Sequence, residues 1–183
     1  AATIRRLRFE LDSRYRAGQA AGDRYARVRD RLRNEVAARE AEHLDRAIEA
    51  LGPVLAHARL QGVTIGLETG LQPHELPRPG GMRRLLDALA GTSVAAWLDT
   101  GHVGVQANLG LDGFDDWFAA VDGRWLGAHL HDVVGLRDHL VPGMGRLDLA
   151  AIVRRLPPSS LLTCELDWYF EPDEVAAGTR ALA

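Results

Sequence analysis

The sequence predicts an α/β chain whose parallel strands form part of a (β/α)8 barrel, and two observations carry that prediction. Four short apolar runs, Thr64 to Leu67, Ala95 to Leu98, Leu126 to Ala128 and Leu161 to Cys164, each end in an acid or an imidazole: Glu68, Asp99, His129 and Glu165. The runs lie roughly 30 residues apart with helical pattern between them, which is the spacing of successive strands in a βαβ series. A parallel barrel builds its active site at the C-terminal ends of its strands, from residues on several of them. All four side chains are therefore expected around one point, as in a metal-dependent enzyme.

The elements follow in order. From Asp23 to Leu60 apolar residues recur at Val28, Leu32, Val36, Leu44, Ile48, Leu51 and Leu55 with charges between them, the pattern of an amphipathic helix. Pro53 is expected to kink or restart it, because proline lacks the backbone donor and clashes one turn back. Arg and acid interleave over this first third as on a solvated helix face, and no aromatic ladder suggests a nucleic-acid patch. His43 and His57 lie on that polar helix and are given no role. Gly62 precedes the Glu68 strand, and Pro73, Pro77, Pro79, Gly80 and Gly81 are read as a loop. Met82 to Ala90, Phe114 to Val121, Leu147 to Leu156 (stopped by Pro157-Pro158) and Pro172 to Leu182 read as helices. The whole, 1–183, is read as a single domain: a helical lead-in over 1–60 and metal-site βα units over 61–183.

Composition sets exclusions. The chain has 183 residues, is 46% hydrophobic, carries a formal charge of -3 and has a pI near 6.2, so it can bury a core and shows no general bias toward nucleic acid or membrane. No apolar stretch approaches the roughly 20 residues of a membrane span, and the Arg-rich start lacks the apolar core of a signal peptide. A cytoplasmic setting is the expectation. The single cysteine, Cys164, has no internal partner and sits in an apolar strand, where packing is its expected role. All 22 basic residues are Arg. Schiff-base aldolase chemistry, pyridoxal phosphate attachment and a Walker-type phosphate loop all require lysine and are excluded.

Chemistry-bearing residues concentrate after the second and third strands. In Leu98 to His102 a tight Thr100-Gly101 turn can bring His102 back over the opening that Asp99 faces. His129 and His131 share one strand face by alternation, so only the one nearer the barrel mouth is placed to meet a metal, and His131 is expected to be a buried imidazole hydrogen-bonded to its neighbour rather than a ligand. Arg137-Asp138-His139 and the Pro142 to Gly145 turn are read as a polar loop near the same mouth.

These residues resemble a family. Glu68 after GVTIGL, the LDTGH of Leu98 to His102, the HLHD of His129 to Asp132, the DHLVPGMGRLD of Asp138 to Asp148 and the CEL of Cys164 to Leu166 look like the xylose isomerase-like TIM barrels. That group holds sugar phosphate isomerases and epimerases, D-tagatose 3-epimerase-like enzymes and endonuclease IV-like DNA repair enzymes. The resemblance runs from about Gly62 to Glu174, and implies that Glu68, Asp99, His129 and Glu165 are metal ligands and that His102 supports them or contacts substrate. Two departures narrow it. Arg137 stands where the endonuclease branch has the aspartate of its Asp-x-His, and His74, followed by Glu75, stands where the epimerase branch has a glutamate. A complete barrel needs roughly 250 residues. The four units present are those the family places last, and the chain begins with Ala1, so the expectation is the C-terminal half of a barrel, completed by a missing N-terminal half or a second chain.

Three carboxylates and one imidazole make a hard, oxygen-rich set, which favours one divalent cation, Mn²⁺, Mg²⁺ or Co²⁺, with Zn²⁺ possible. The expected function is a sugar or sugar-phosphate isomerase or epimerase. Metal polarisation of a carbonyl makes the adjacent C–H acidic, and Glu68 and Glu165 are the candidate acid/base pair. His102, Arg137 and His139 are the candidate substrate contacts. The alternatives are a noncatalytic barrel-derived binding module and an endonuclease IV-like repair enzyme.

Overall fold

The computed structural model describes residues 2–180 and 182. Two helices open it: α1, Ala2–Arg16, and α2, Asp23–Leu60. They pack through Ile4, Leu7 and Leu11 on one and Tyr25, Val28, Leu32 and Val36 on the other. Their outer faces carry the interleaved charges as local pairs, among them Arg8–Asp12, Arg14–Glu10 and Arg39–Glu35, each spaced by one helical turn. Pro53 does not restart α2, which is assigned as one continuous helix. Pro53 and Glu49, whose carbonyl loses its donor there, are both exposed, so water can take the donor's place.

The α/β part follows as β1 (Ile65–Glu68), α3 (Pro79–Ala88), β2 (Val94–Asp99), α4 (Thr100–Asn108), α5 (Phe114–Val121), β3 (Trp125–Leu130), β4 (Asp132–Val134), β5 (Arg137–Leu140), α6 (Leu149–Val153), β6 (Leu161–Cys164) and α7 (Pro172–Arg180). The main sheet has four parallel strands in the order β1-β2-β3-β6, and it is not closed. Met82 and Leu86 of α3, Val103 of α4, Trp117 and Val121 of α5 and Ile152 of α6 pack against Ala96, Leu98, Ala128 and Leu130 of the sheet. The other face is thinly covered. There Trp97 lies across two glycines, since a side chain on Gly127 would come within 2.6 Å of the indole and one on Gly66 within 3.2 Å of Trp97 Cβ. At the β6 edge Leu161 and Leu162 are 59% and 48% exposed.

Several boundaries differ from expectation. Pro79, Gly80 and Gly81, read as loop, are the first turn of α3, with Pro79 where a missing backbone donor costs nothing. The expected Leu147 to Leu156 helix is reduced to α6, capped by Asp148, which accepts from Ala151 N at 2.8 Å. Helix α7 is assigned to Arg180, and Ala181 of its expected span, like Ala1, lies outside the described residues. Arg137 to His139 is strand rather than loop: β4 and β5 form an antiparallel hairpin, turned at Gly135 with φ 65°. No helix among the described residues is long and apolar enough to cross a membrane.

Candidate metal centre

Strand register brings the four expected ligands to one face. Asp99 pairs with His129, Glu68 pairs with Trp97 two residues before Asp99, and His129 pairs with Thr163 two residues before Glu165. Side chains alternate with period two, so all four project the same way. The alignment depends on an irregularity. Ala96 pairs with Trp125 but Trp97 pairs with Gly127, so Leu126 is an extra residue in β3. Without it Ala128 would stand beside Asp99.

The outer ligands lie three strand spacings apart, about 14 Å along a flat sheet, yet the ligand atoms of all four residues lie within 4.8 Å of one another. Sheet curvature and side-chain length both serve this convergence. The long glutamates stand on the edge strands, and the shorter aspartate and the imidazole on the central ones. His129 Nδ1 is 2.8 Å from Glu68 Oε1, 2.8 Å from Glu165 Oε2 and 3.7 Å from Asp99 Oδ2.

Asp99 is fully buried and anchors the cluster. It caps α4, its Oδ1 accepting from His102 N at 2.7 Å, so the expected Thr100-Gly101 turn is in fact the first turn of a helix. His131 Nε2 lies 2.8 Å from the same oxygen. Burial pushes the Asp99 carboxyl up, but the neighbouring His131 and His102 outweigh it and hold the group below its ordinary value. Asp99 Oδ2 is buried without a hydrogen-bond partner. A buried orphan oxygen facing an imidazole and two carboxylates is the feature that fits a cation, since three converging carboxylates repel one another without one.

Around this centre His102 Nδ1 is 2.9 Å from the Thr69 carbonyl, leaving Nε2 as the acceptor nitrogen of that tautomer. Between the two candidate imidazoles, His129 joins the cluster, while His131 is buried behind Asp99. His139 N donates to His131 Nδ1 at 2.7 Å, which leaves His131 Nε2 to carry the proton toward Asp99. The His139 ring stacks on His131 at 4.2 Å, and its Nε2 is 3.8 Å from Glu165 Oε1. Burial lowers the His139 pKa, but Asp138, Asp99 and Glu165 raise it more, so it stands above the ordinary value. Its backbone φ of 56° is left-handed, a cost accepted at the rim of the site. Arg137 does not enter the cluster; its guanidinium is hydrogen-bonded to the Tyr169 hydroxyl. Cys164 is partly buried, and burial pushes its thiol up, as suits a packing role.

Sequence reasoning missed two supports. Thr69, buried, accepts from Asp99 N at 2.9 Å and links the ends of β1 and β2. Asp132 accepts from the backbone N–H of Val133, Gly143, Gly145 and Leu147 and so fixes the Pro142 to Gly145 turn. A threonine directly after the first ligand and an aspartate ahead of paired glycines were the available signals.

A family model described as xylose isomerase-like TIM barrel matches residues 15–182. The chain belongs to that family. The match begins at residue 15, well before Gly62, and takes in α2. A search of curated proteins gave no match. Among solved structures, the chain is similar to TTHB071 from Thermus thermophilus, in crystals soaked with ZnCl2, at 29% identity and TM-score 0.59, over 79% of this chain and 55% of that one. It is also similar in fold to 3-keto-D-glucoside 4-epimerase from E. coli, apo form, at 15% identity and TM-score 0.60, over 76% of this chain and 52% of that one. The chain thus spans about half the length of the solved structures it matches.

Proposed function

We propose that this chain carries the metal centre of a sugar or sugar-phosphate isomerase or epimerase that abstracts a proton beside a polarised carbonyl. The supporting observation is the division among three carboxylates. Asp99 is buried and fixed, whereas the Glu68 and Glu165 side chains are 42% and 46% exposed and approach one point from opposite edges of the sheet. A divalent cation held by Glu68, Asp99, His129 and Glu165 would polarise a substrate carbonyl and acidify its neighbouring C–H; the oxygen-rich set favours Mn²⁺, Mg²⁺ or Co²⁺, and admits Zn²⁺. Asp99 anchors, and His129 offers an imidazole nitrogen. Glu165 takes the proton, and Glu68, on the other side, returns one. His139, beside Glu165, and His102, with its free nitrogen, are placed to orient substrate hydroxyls, while Arg137 marks the outer rim. The endonuclease reading has less support, because Arg137 stands where that branch has the aspartate of its Asp-x-His, and its guanidinium is hydrogen-bonded to the Tyr169 hydroxyl.

The test is the Glu165→Gln variant in the complete enzyme, with ketohexoses in deuterated solvent followed by NMR. The variant is expected to keep some metal and lose solvent exchange of the substrate C–H. Full exchange would remove Glu165 from the acid/base role and leave Glu68 as the base. Failure of the parent protein to bind a divalent cation would sink the reading itself.

A further inference from the structure

We infer that Trp97 is a positioning residue of the metal centre: its indole sets the plane of the His129 ring and so aims the Nδ1 lone pair at the point where Glu68, Asp99 and Glu165 meet. This rests on the metal-centre reading of those four residues, and concerns what holds the one imidazole among them. The Trp97 and His129 rings meet edge-on, with centroids 5.1 Å apart and planes at 69°. An imidazole nitrogen carries its lone pair in the plane of the ring, so the tilt of that plane decides whether the nitrogen points at a cation or past it.

His129 lacks the support that fixes most ligating histidines, a hydrogen bond on the second ring nitrogen. The neighbouring imidazoles are tied to backbone in this way: His102 Nδ1 lies 2.9 Å from the Thr69 carbonyl, and His131 Nδ1 accepts from His139 N at 2.7 Å. In His129 both short contacts fall on Nδ1, 2.8 Å to Glu68 Oε1 and 2.8 Å to Glu165 Oε2, and Nε2 meets no hydrogen-bond partner among the described residues. Those two carboxylates attract Nδ1, but they end long, exposed side chains and fix no plane.

The indole is itself fixed. Strand register puts Trp97 beside Glu68 of β1 and Gly127 of β3, two residues before Asp99 and on the same face. Two glycines make room for it, since a Cβ on Gly127 would lie 2.6 Å from Trp97 Cζ3 and one on Gly66 would lie 3.2 Å from Trp97 Cβ. Trp97 Nε1 is buried without a hydrogen-bond partner among the described residues. An aliphatic side chain would cover the glycines without that unpaired donor, so covering them does not by itself call for an aromatic ring at position 97.

The experiment measures Zn²⁺ affinity by calorimetry, and the His129 ring nitrogens by long-range proton–nitrogen NMR, in the parent chain, Trp97→Phe and Trp97→Leu. Trp97→Leu is expected to weaken Zn²⁺ about tenfold. Trp97→Phe, which restores a ring, should stay within about twofold of the parent. Zn²⁺ should shift Nδ1 of His129 as one sharp signal in the parent and in Trp97→Phe, and that signal should broaden in Trp97→Leu as the ring samples other planes. Parent affinity and a sharp signal in Trp97→Leu, or Trp97→Phe no better than Trp97→Leu, would overturn the inference. Should the variants not fold, the parent decides by itself: the nuclear Overhauser contact between the Trp97 and His129 rings is expected both before and after Zn²⁺ is added. Its loss on loading would mean that the imidazole turns away from the indole to bind, and the inference falls. A parent that binds Zn²⁺ with indifference to Trp97 removes this inference alone, whereas a parent that binds no divalent cation removes the metal-centre reading with it.

Discussion

His131 Nε2 lies 2.8 Å from Asp99 Oδ1, and this contact, with the amide of His102 on the same oxygen, leaves Asp99 Oδ2 to face Glu68, His129 and Glu165, the other candidate ligands. His131→Asn is therefore expected to weaken divalent cation binding about 10–100-fold, measured by calorimetry. It should also change acid stability. The Asp99 carboxyl lies below its ordinary 3.8 in the folded chain, so its contribution is complete above that pH and is lost as pH falls through the lower folded value. Without His131 the acid limb should move upward. Unchanged metal affinity would show that His131 merely fills space.

Gly101 admits no side chain. A Cβ there would lie 2.0 Å from His131 Cε1 and 2.3 Å from its Nδ1. Gly101→Ala is expected to cost about 1–3 kcal/mol in urea unfolding and to lower metal affinity with it, because the ring it displaces is the one that orients Asp99. A loss of stability with metal binding intact would separate packing from orientation.

Asp132 stands almost fully buried at 1% exposure and accepts from four backbone N–H groups. In Asp132→Ala those donors lose their partner, at an expected cost of about 3 kcal/mol or more. Amide exchange over residues 141–147 should accelerate in the same variant. Protection equal to that of the parent chain would show that the turn holds by itself.

Tyr25 predicts an alkaline limit. Its hydroxyl donates to the carbonyl of Leu109 at 2.9 Å, and burial pushes its pKa from 10.0 to about 12. A raised folded value means stability fully present below pH 10 and lost as pH rises toward 12, up to about 3 kcal/mol. Tyr25→Phe should be slightly less stable at neutral pH and lack this alkaline slope. Parallel stability profiles for the two proteins would refute the assignment.

The spacing of acids and imidazole after apolar runs determined the parallel order of β1, β2, β3 and β6 and put Glu68, Asp99, His129 and Glu165 at one end of the sheet, because strand period and βα length are local properties. Helix α2 was legible for the same reason, its buried Val28, Leu32, Val36 and Leu44 being those the periodicity names. Only the tertiary structure decided between His129 and His131. The place of His129 beside Asp99 rests on one extra residue, Leu126, which shifts β3 against β2 where Ala128 would otherwise stand, and strand composition gives no sign of such a shift. The β4–β5 hairpin and the start of α4 directly on Asp99 were likewise hidden, since each depends on a few residues whose conformation is set by tertiary partners: His131 across the hairpin for His139, and Thr69 at the end of β1 for His102. The sequence named four candidate ligands because each closes an apolar run with an acid or an imidazole, which is a local pattern. It was silent on Trp97 and His129 as a unit because their association is a matter of distance, which only packing supplies.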